Sequence, residues 1–269
     1  MLYRLLVSGL VSGAFAGVVV TVFHFLLVEP LIFAAEQYEG AGPAIQAVAP
    51  ITSHSDPNGL THTHAGGTAA HQHNAEGGAV HVHSDGSAHV HEAWEPADGF
   101  QRRGLTLVAN ILIGIAFGML LATALTLYGR DISLQKVAMW GIAGYLAFTF
   151  LPALGLPPET PGAAAGDLID RQVWWLATAA ASAVGLALLA FGRITLWKPV
   201  GLVLLVVPHV IGAPRPPEGA VGLVPPELAA HYVVNTLFSS AVLWVVLGMT
   251  MAYVLQRLDA NQESTEPVS

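Results

Sequence analysis

The chain has 269 residues, 54% of them hydrophobic and only 10% charged, with a mean hydropathy of +0.58 and a formal net charge of −8. A soluble domain carries about 25% charged residues, so this composition excludes one of useful size, and the acidic balance argues against nucleic acid as a partner. Cysteine is absent, which excludes disulfides, thiolate metal sites and cysteine nucleophiles.

The first apolar run, residues 5–28, is interrupted only by His24. A secretory h-region is about 7–15 residues long, so this longer run is read as an uncleaved membrane span. A helix needs about 20 apolar residues to cross the hydrocarbon core, and the runs 104–128, 137–156, 173–191 and 229–255 also qualify. The run 194–212 is ambiguous. Its continuous part from Val200 to Ile211 reaches only about 18 Å at ~1.5 Å per residue. The longer version takes in Lys198 and Pro199, and Pro208 falls within either. The expected fold class is an all-α integral membrane protein: a polytopic bundle of six transmembrane helices, or of five plus one re-entrant segment.

Within the first span Gly9, Gly13 and Gly17 recur at i, i+4 and i+8 beside Ser8, Ser12 and Ala16. Gly114 and Gly118 repeat the spacing in the second. Small residues let helix backbones approach closely in lipid, so these are read as packing surfaces. Asn110, also in the second span, is read as a structural hydrogen bond between helices. Glu36 and Glu39 continue the first helix beyond its span, as guards of the following loop or as a solvated face.

That loop, residues 40–100, is rich in Gly, Ala, Ser, Thr and His. Such a composition buries too little apolar surface to offset its ordering entropy, and the loop is expected to be disordered. It carries His54 and four His-x-His pairs: His62/His64, His71/His73, His81/His83 and His89/His91. In an extended segment residues i and i+2 face the same way, so each pair can pinch one ion between neutral imidazoles. The expected role is capture of a divalent transition metal. A polar spacer and a pH-sensitive polyelectrolyte are the plainer readings. Imidazoles without thiolate follow the Irving–Williams order, so the loop concentrates Co²⁺, Ni²⁺, Zn²⁺ or Cu²⁺ without choosing cobalt.

A second group of polar residues sits at helix ends. His24 and Glu29 close the first span, and His209 lies in the proline-rich run from Pro208 to Pro217. Glu227, His231 and Asn235 follow at i, i+4 and i+8 on one face of the last span. Ionisable residues in apolar helices usually face the bundle interior or a wet path. Irregular backbone at membrane depth usually lines a cavity. These six residues are the transport-path candidates. The competing reading is that each caps a helix or bonds a nearby carbonyl, with Glu227 favoured by the helix dipole.

Orientation follows from the cations. With six spans and a cytoplasmic N-terminus, Arg4, Arg130, Lys136, Arg193, Lys198 and Arg257 lie inside, in short segments. Arg102, Arg103, Arg171 and Arg215 lie outside in longer ones. Both termini, including the acidic tail 259–269, are then cytoplasmic and the His-rich loop extracytoplasmic. No Walker-type phosphate loop is present, so no nucleotide is expected. No nucleophile stands beside a base, so the chain is not read as an enzyme.

The chain resembles the CbtA-type probable cobalt transporter subunit family. The resemblance rests on Tyr3-Arg4-Leu5-Leu6, Glu29-Pro30-Leu31-Ile32 and Ala35-Glu36-Gln37-Tyr38-Glu39. It rests also on the run Pro208-His209 to Pro217 and on Pro226-Glu227-Leu228-Ala229. It covers nearly everything before the acidic tail. It implies a multi-pass inner-membrane protein for cobalt uptake, linked to cobalamin biosynthesis, beside a small single-span membrane subunit with its own His motif. The expectation is a permease subunit with cobalt as favoured cargo. The alternative is a non-transporting metal sensor or buffer for nickel, zinc or copper.

Overall fold

The computed structural model describes residues 2–39, 51–55, 61–65, 80–82, 88–90, 96–129 and 133–263. The chain divides into a helical unit, residues 1–41 and 103–269, and a smaller unit, residues 42–102.

The helical unit opens with α1 (Leu2–Phe23), one π-helical turn (His24–Val28) and α2 (Glu29–Glu39). Together they make one candidate span, Leu2–Tyr38. The sequence suggested an apolar run ending at Val28 with the helix continuing through Glu36 and Glu39, and the helix does run on through Pro30. A proline inside an α-helix lacks its amide donor, and its ring strikes the carbonyl four residues back. Here the Glu29 amide bonds the His24 carbonyl five residues back, and the widened turn makes room for the ring. The device recurs. In the next hairpin α4 (Leu134–Tyr145) passes through a π turn (Leu146–Phe150) into α5 (Leu151–Ala153). The Leu151 amide bonds the Leu146 carbonyl just before Pro152.

Between these, α3 (Phe100–Tyr128) is unbroken, as are α6 (Leu168–Phe191) and α8 (Pro226–Glu263). The ambiguous run becomes α7 (Trp197–Ile211), 15 residues or about 22 Å at ~1.5 Å per residue. It starts at Trp197 and not at Ile194. Pro199 therefore falls in its first turn, where a missing amide costs nothing. Pro208 leaves the Leu204 carbonyl without an amide at i+4. Gly212 then ends the helix at φ 89°, its amide closing on the Pro208 carbonyl. The described residues thus hold five helices long and apolar enough to cross a membrane and one shorter apolar helix. This is a polytopic helical membrane protein.

Arg4 at the start of α1 pairs with Asp259 near the end of α8 at 2.9 Å. The two ends therefore share one face of the bundle. An odd number of crossings would separate them, so α7 leads the chain back to the opposite face, short as it is. Large apolar side chains such as Leu10, Phe15, Leu112, Leu176 and Val203 point outward, while Ser8, Ser12, Thr178, Ser182 and Ser239 are buried. In a bilayer the outside is as greasy as any core, so close packing of small residues holds the helices together. The apolar interior gathers Leu121, Leu125, Val137, Leu247 and Met251 around Trp244, whose ring stands 4.9 Å from that of Phe117.

The two glycine series meet each other. α1 and α3 run antiparallel with Gly9 against Gly118, Gly13 against Gly114 and Gly17 against Asn110. A Cβ added at Gly17 would lie 2.5 Å from the Asn110 carbonyl oxygen, and one at Gly13 would overlap the Gly114 backbone. The glycines are needed for this close approach, which no side chain would permit.

In the smaller unit β1 (Ile51–Ser55) pairs antiparallel with β2 (Thr61–Ala65), and β3 (Val80–Val82) with β4 (Ala88–Val90). In backbone register His54 stands opposite His62, His64 opposite Thr52, and His81 opposite His89. His71, His73, His83 and His91 lie outside the described residues, as do most of the expected loop and the tail from 264 to 269.

Replacing Gly13 by Leu should force α1 and α3 apart and lower stability by about 1–3 kcal/mol, read as thermal unfolding in detergent micelles. Gly104→Ala is the control: nothing lies within 4 Å of the added Cβ. It should be neutral or stabilising by about 0.5–1 kcal/mol. Equal melting of Gly13→Leu and wild type would disprove the crossing.

Candidate metal-transfer site

The crossing of α1 and α3 places polar side chains at the end of the bundle remote from Arg4 and Asp259. Gly17 lets α3 come close enough for Asn110 to reach across. The Asn110 Nδ2 group donates to Thr21 Oγ1 at 3.1 Å and contacts His24 Nδ1 at 3.0 Å. Thr21 in turn donates to the Gly17 carbonyl at 2.7 Å. An amide NH₂ only donates, so His24 Nδ1 accepts and the ring proton lies on Nε2. Thr21 and Asn110 are buried, and His24 is half-buried. Thr21 Oγ1, Asn110 Nδ2 and His24 Nδ1 are thus paired with one another or with the backbone, as hydrocarbon surroundings demand. His24 is the first residue of the π turn, a local geometry frequent at functional positions.

One turn further out, Glu29 and Arg103 form a fork. Arg103 Nε donates to Oε1 at 2.9 Å and Nη2 to Oε2 at 3.1 Å. The guanidinium also lies 5.7 Å from the centre of the Phe25 ring. The Glu29 carboxylate is therefore already matched by a cation. A metal arriving here must displace Arg103 or do without that charge.

The remaining candidates are dispersed. His209, near the end of α7, sets its ring edge-on to Trp174 of α6 at 5.9 Å. Glu227 and His231 do share a face of α8 with Asn235, but both are exposed. The Asn235 amide turns back to the His231 carbonyl at 2.8 Å. Among the described residues no group of three or more His, Asp or Glu side chains converges to hold a metal ion. The six candidates thus divide into His24, paired with Asn110, a matched carboxylate at Glu29, an imidazole at another seam in His209, and one edge of α8 with Glu227, His231 and Asn235.

One partner escaped the sequence reading and another was read in part. Asn110, expected to bond between helices, does bond to Thr21, and it also steadies the interior histidine of the first span. Arg103 was counted only as a loop cation, yet it neutralises Glu29. The glycine register carried the signal for both: once Gly13 is set against Gly114, the next turns bring Asn110 to His24 and Arg103 to Glu29. A cavity of about 750 Å³ between α3, α4 and α6 is lined mostly by apolar side chains such as Leu121, Trp140 and Phe191. Its lining includes no His, Asp or Glu.

The family described as "Probable cobalt transporter subunit (CbtA)" matches residues 2–256. No curated protein and no solved structure matches the chain. The family match spans every membrane helix, and with it the bundle takes its place as a membrane subunit for metal transport. The chain belongs to the CbtA family of probable cobalt transporter subunits.

Proposed function

We propose that this chain is the permease subunit for inward movement of a divalent transition metal, cobalt favoured, and that the His24–Asn110 pair is a stage on its route. The observation that carries this is an imidazole held at a π turn, inside a membrane helix, by a buried amide. Ionisable groups within spans are costly and rarely idle. A cation binds His24 Nε2 only in the other tautomer, with the single ring proton moved from Nε2 to Nδ1. Asn110 can accept a hydrogen bond from that Nδ1–H by turning its amide so that Oδ1 faces the ring, the usual way in which a ligating histidine is steadied from behind.

The route begins in the extracytoplasmic loop, where His54, His62, His64, His71, His73, His81, His83, His89 and His91 collect metal. The antiparallel backbone register that sets His54 opposite His62 and His81 opposite His89 supports capture between strands. Glu29 gains a role only when Arg103 lets go. The exposed edge of Glu227 and His231 suits a second membrane subunit bringing a histidine of its own, and His209 and Asn235 complete the outer end. No nucleotide site is expected, so the driving force is the membrane potential: a divalent cation moving inward across 100 mV gains about 4.6 kcal/mol. The second reading, a metal sensor or buffer, is favoured by the dispersal of the helix-end ligands.

Cobalt uptake into proteoliposomes separates the two. The transport reading expects His24→Ala to lower uptake about tenfold or more and Asn110→Leu to lower it less, as loss of an orienting partner does. Deletion of residues 54–91 should raise the metal concentration needed for half-maximal uptake and spare the maximal rate. Wild-type uptake by His24→Ala would remove that residue from the route. No uptake by any variant or by the intact chain would favour the sensor.

The absence of cysteine makes orientation simple to test. A cysteine at Ser84 should react with a membrane-impermeant maleimide on intact cells, and one at Ala260 only after permeabilisation. The reverse pattern would invert the proposed direction.

A further inference from the structure

The buried stripe of α6 is Trp174, Thr178, Ser182 and Gly185, spaced so that all four fall on one helix face. Both ends of that stripe lie against α7. At the inner end a Cβ on Gly185 would meet the Gly201 carbonyl oxygen at 2.8 Å and the Leu205 side chain at 2.9 Å. At the other end the Trp174 ring meets His209. Thr178 and Ser182, between these two contacts, therefore sit in the α6–α7 seam. Arg171, one turn above Trp174, is held by an ion pair with Glu159 at the mouth of the seam.

The polar atoms of this seam have no partner among the described residues. Trp174 Nε1, Thr178 Oγ1, Ser182 Oγ, His209 Nε2 and Arg171 Nε are all buried without a hydrogen bond. Thr178 and Ser182 are 0% exposed and Trp174 9%. On α7 the proline at 208 leaves the Leu204 carbonyl without its helical amide. An unsatisfied polar group in hydrocarbon costs several kcal/mol. A whole row of them on one seam demands a ligand that can both accept and donate.

We infer that the α6–α7 seam is a hydrated half-path, a file of water molecules. It enters beside Arg171 and Glu159, passes Trp174 and His209, and ends where Gly185 and Gly201 close the two backbones together. Water satisfies each orphan, typically through about three bonds per molecule. A metal ion does not suit the seam: the indole N–H only donates, and the carboxylate at the mouth, Glu159, is already paired with Arg171. The stripe from Arg171 to Gly185 is about 21 Å long at ~1.5 Å per residue, most of a ~30 Å hydrocarbon core. The water path is thus distinct from the His24 route and does not depend on it.

Synchrotron radiolysis of the full-length protein in nanodiscs, with side-chain oxidation read by mass spectrometry, tests this. Hydroxyl radicals form from water where it is bound. With rates normalised to the denatured chain, Trp174 should be oxidised about tenfold faster than Met251, a fully buried residue away from the seam. In Thr178→Val/Ser182→Ala, Trp174 oxidation should fall several-fold and the melting temperature should drop, because the remaining waters lose partners. Wild-type Trp174 reacting no faster than Met251 would overturn the inference without any variant. A double variant that labels like wild type, or that melts higher because its seam was dry, would overturn it too.

Discussion

Everything at the His24 end of this bundle depends on two backbones touching. Where α1 crosses α3, three successive turns carry glycine opposite glycine or opposite the Asn110 backbone, and no side chain separates the helices. Water cannot drive this association inside a bilayer; dispersion contacts and interhelical hydrogen bonds do. The crossing fixes the antiparallel register, and the register fixes the polar chemistry. Asn110 reaches Thr21 and His24 because Gly17 yields space, and Arg103 reaches Glu29 two turns later.

The prolines act on the same region by a different route. Pro30 and Pro152 each follow a π turn by one residue. Each is absorbed without breaking its helix, and each helix gains a widened turn at membrane depth. In the first helix that turn begins with His24. Pro208 acts differently: α7 keeps its α-helical course and the Leu204 carbonyl loses the amide that would bond it four residues on. Proline is therefore a helix adapter in two places and a source of exposed backbone polarity in a third.

The spans were legible because hydropathy over about 20 residues is a strong signal. The glycine surfaces were legible because their period matches the helix. The continuation of the first helix to Glu36 and Glu39 was legible too; the means of carrying it past Pro30 was not, since nothing in the letters announces a π turn. The short α7 was ambiguous from its length alone; the ion pair between Arg4 and Asp259 gives its crossing parity. Helix periodicity placed Glu227, His231 and Asn235 on one face correctly but could not say which way that face turns. Rotation is set by packing against α1 and α4, and it leaves Glu227 and His231 outside. The orphaned hydroxyls of Thr178 and Ser182 were illegible for the same reason, since a lone Thr or Ser in an Ala-rich helix is unremarkable until its neighbour is known.

The matched carboxylate at Glu29 bears on how long any cation could linger. A conduit must hold its cargo tightly enough to admit it and loosely enough to discharge it. With the nearest negative charge engaged by Arg103, a divalent ion at His24 meets one imidazole, one amide and no net counter-charge. On the proposed route, residence there is brief. Storage would call for a free acid at that turn, and the guanidinium denies it one: the arrangement favours throughput over retention.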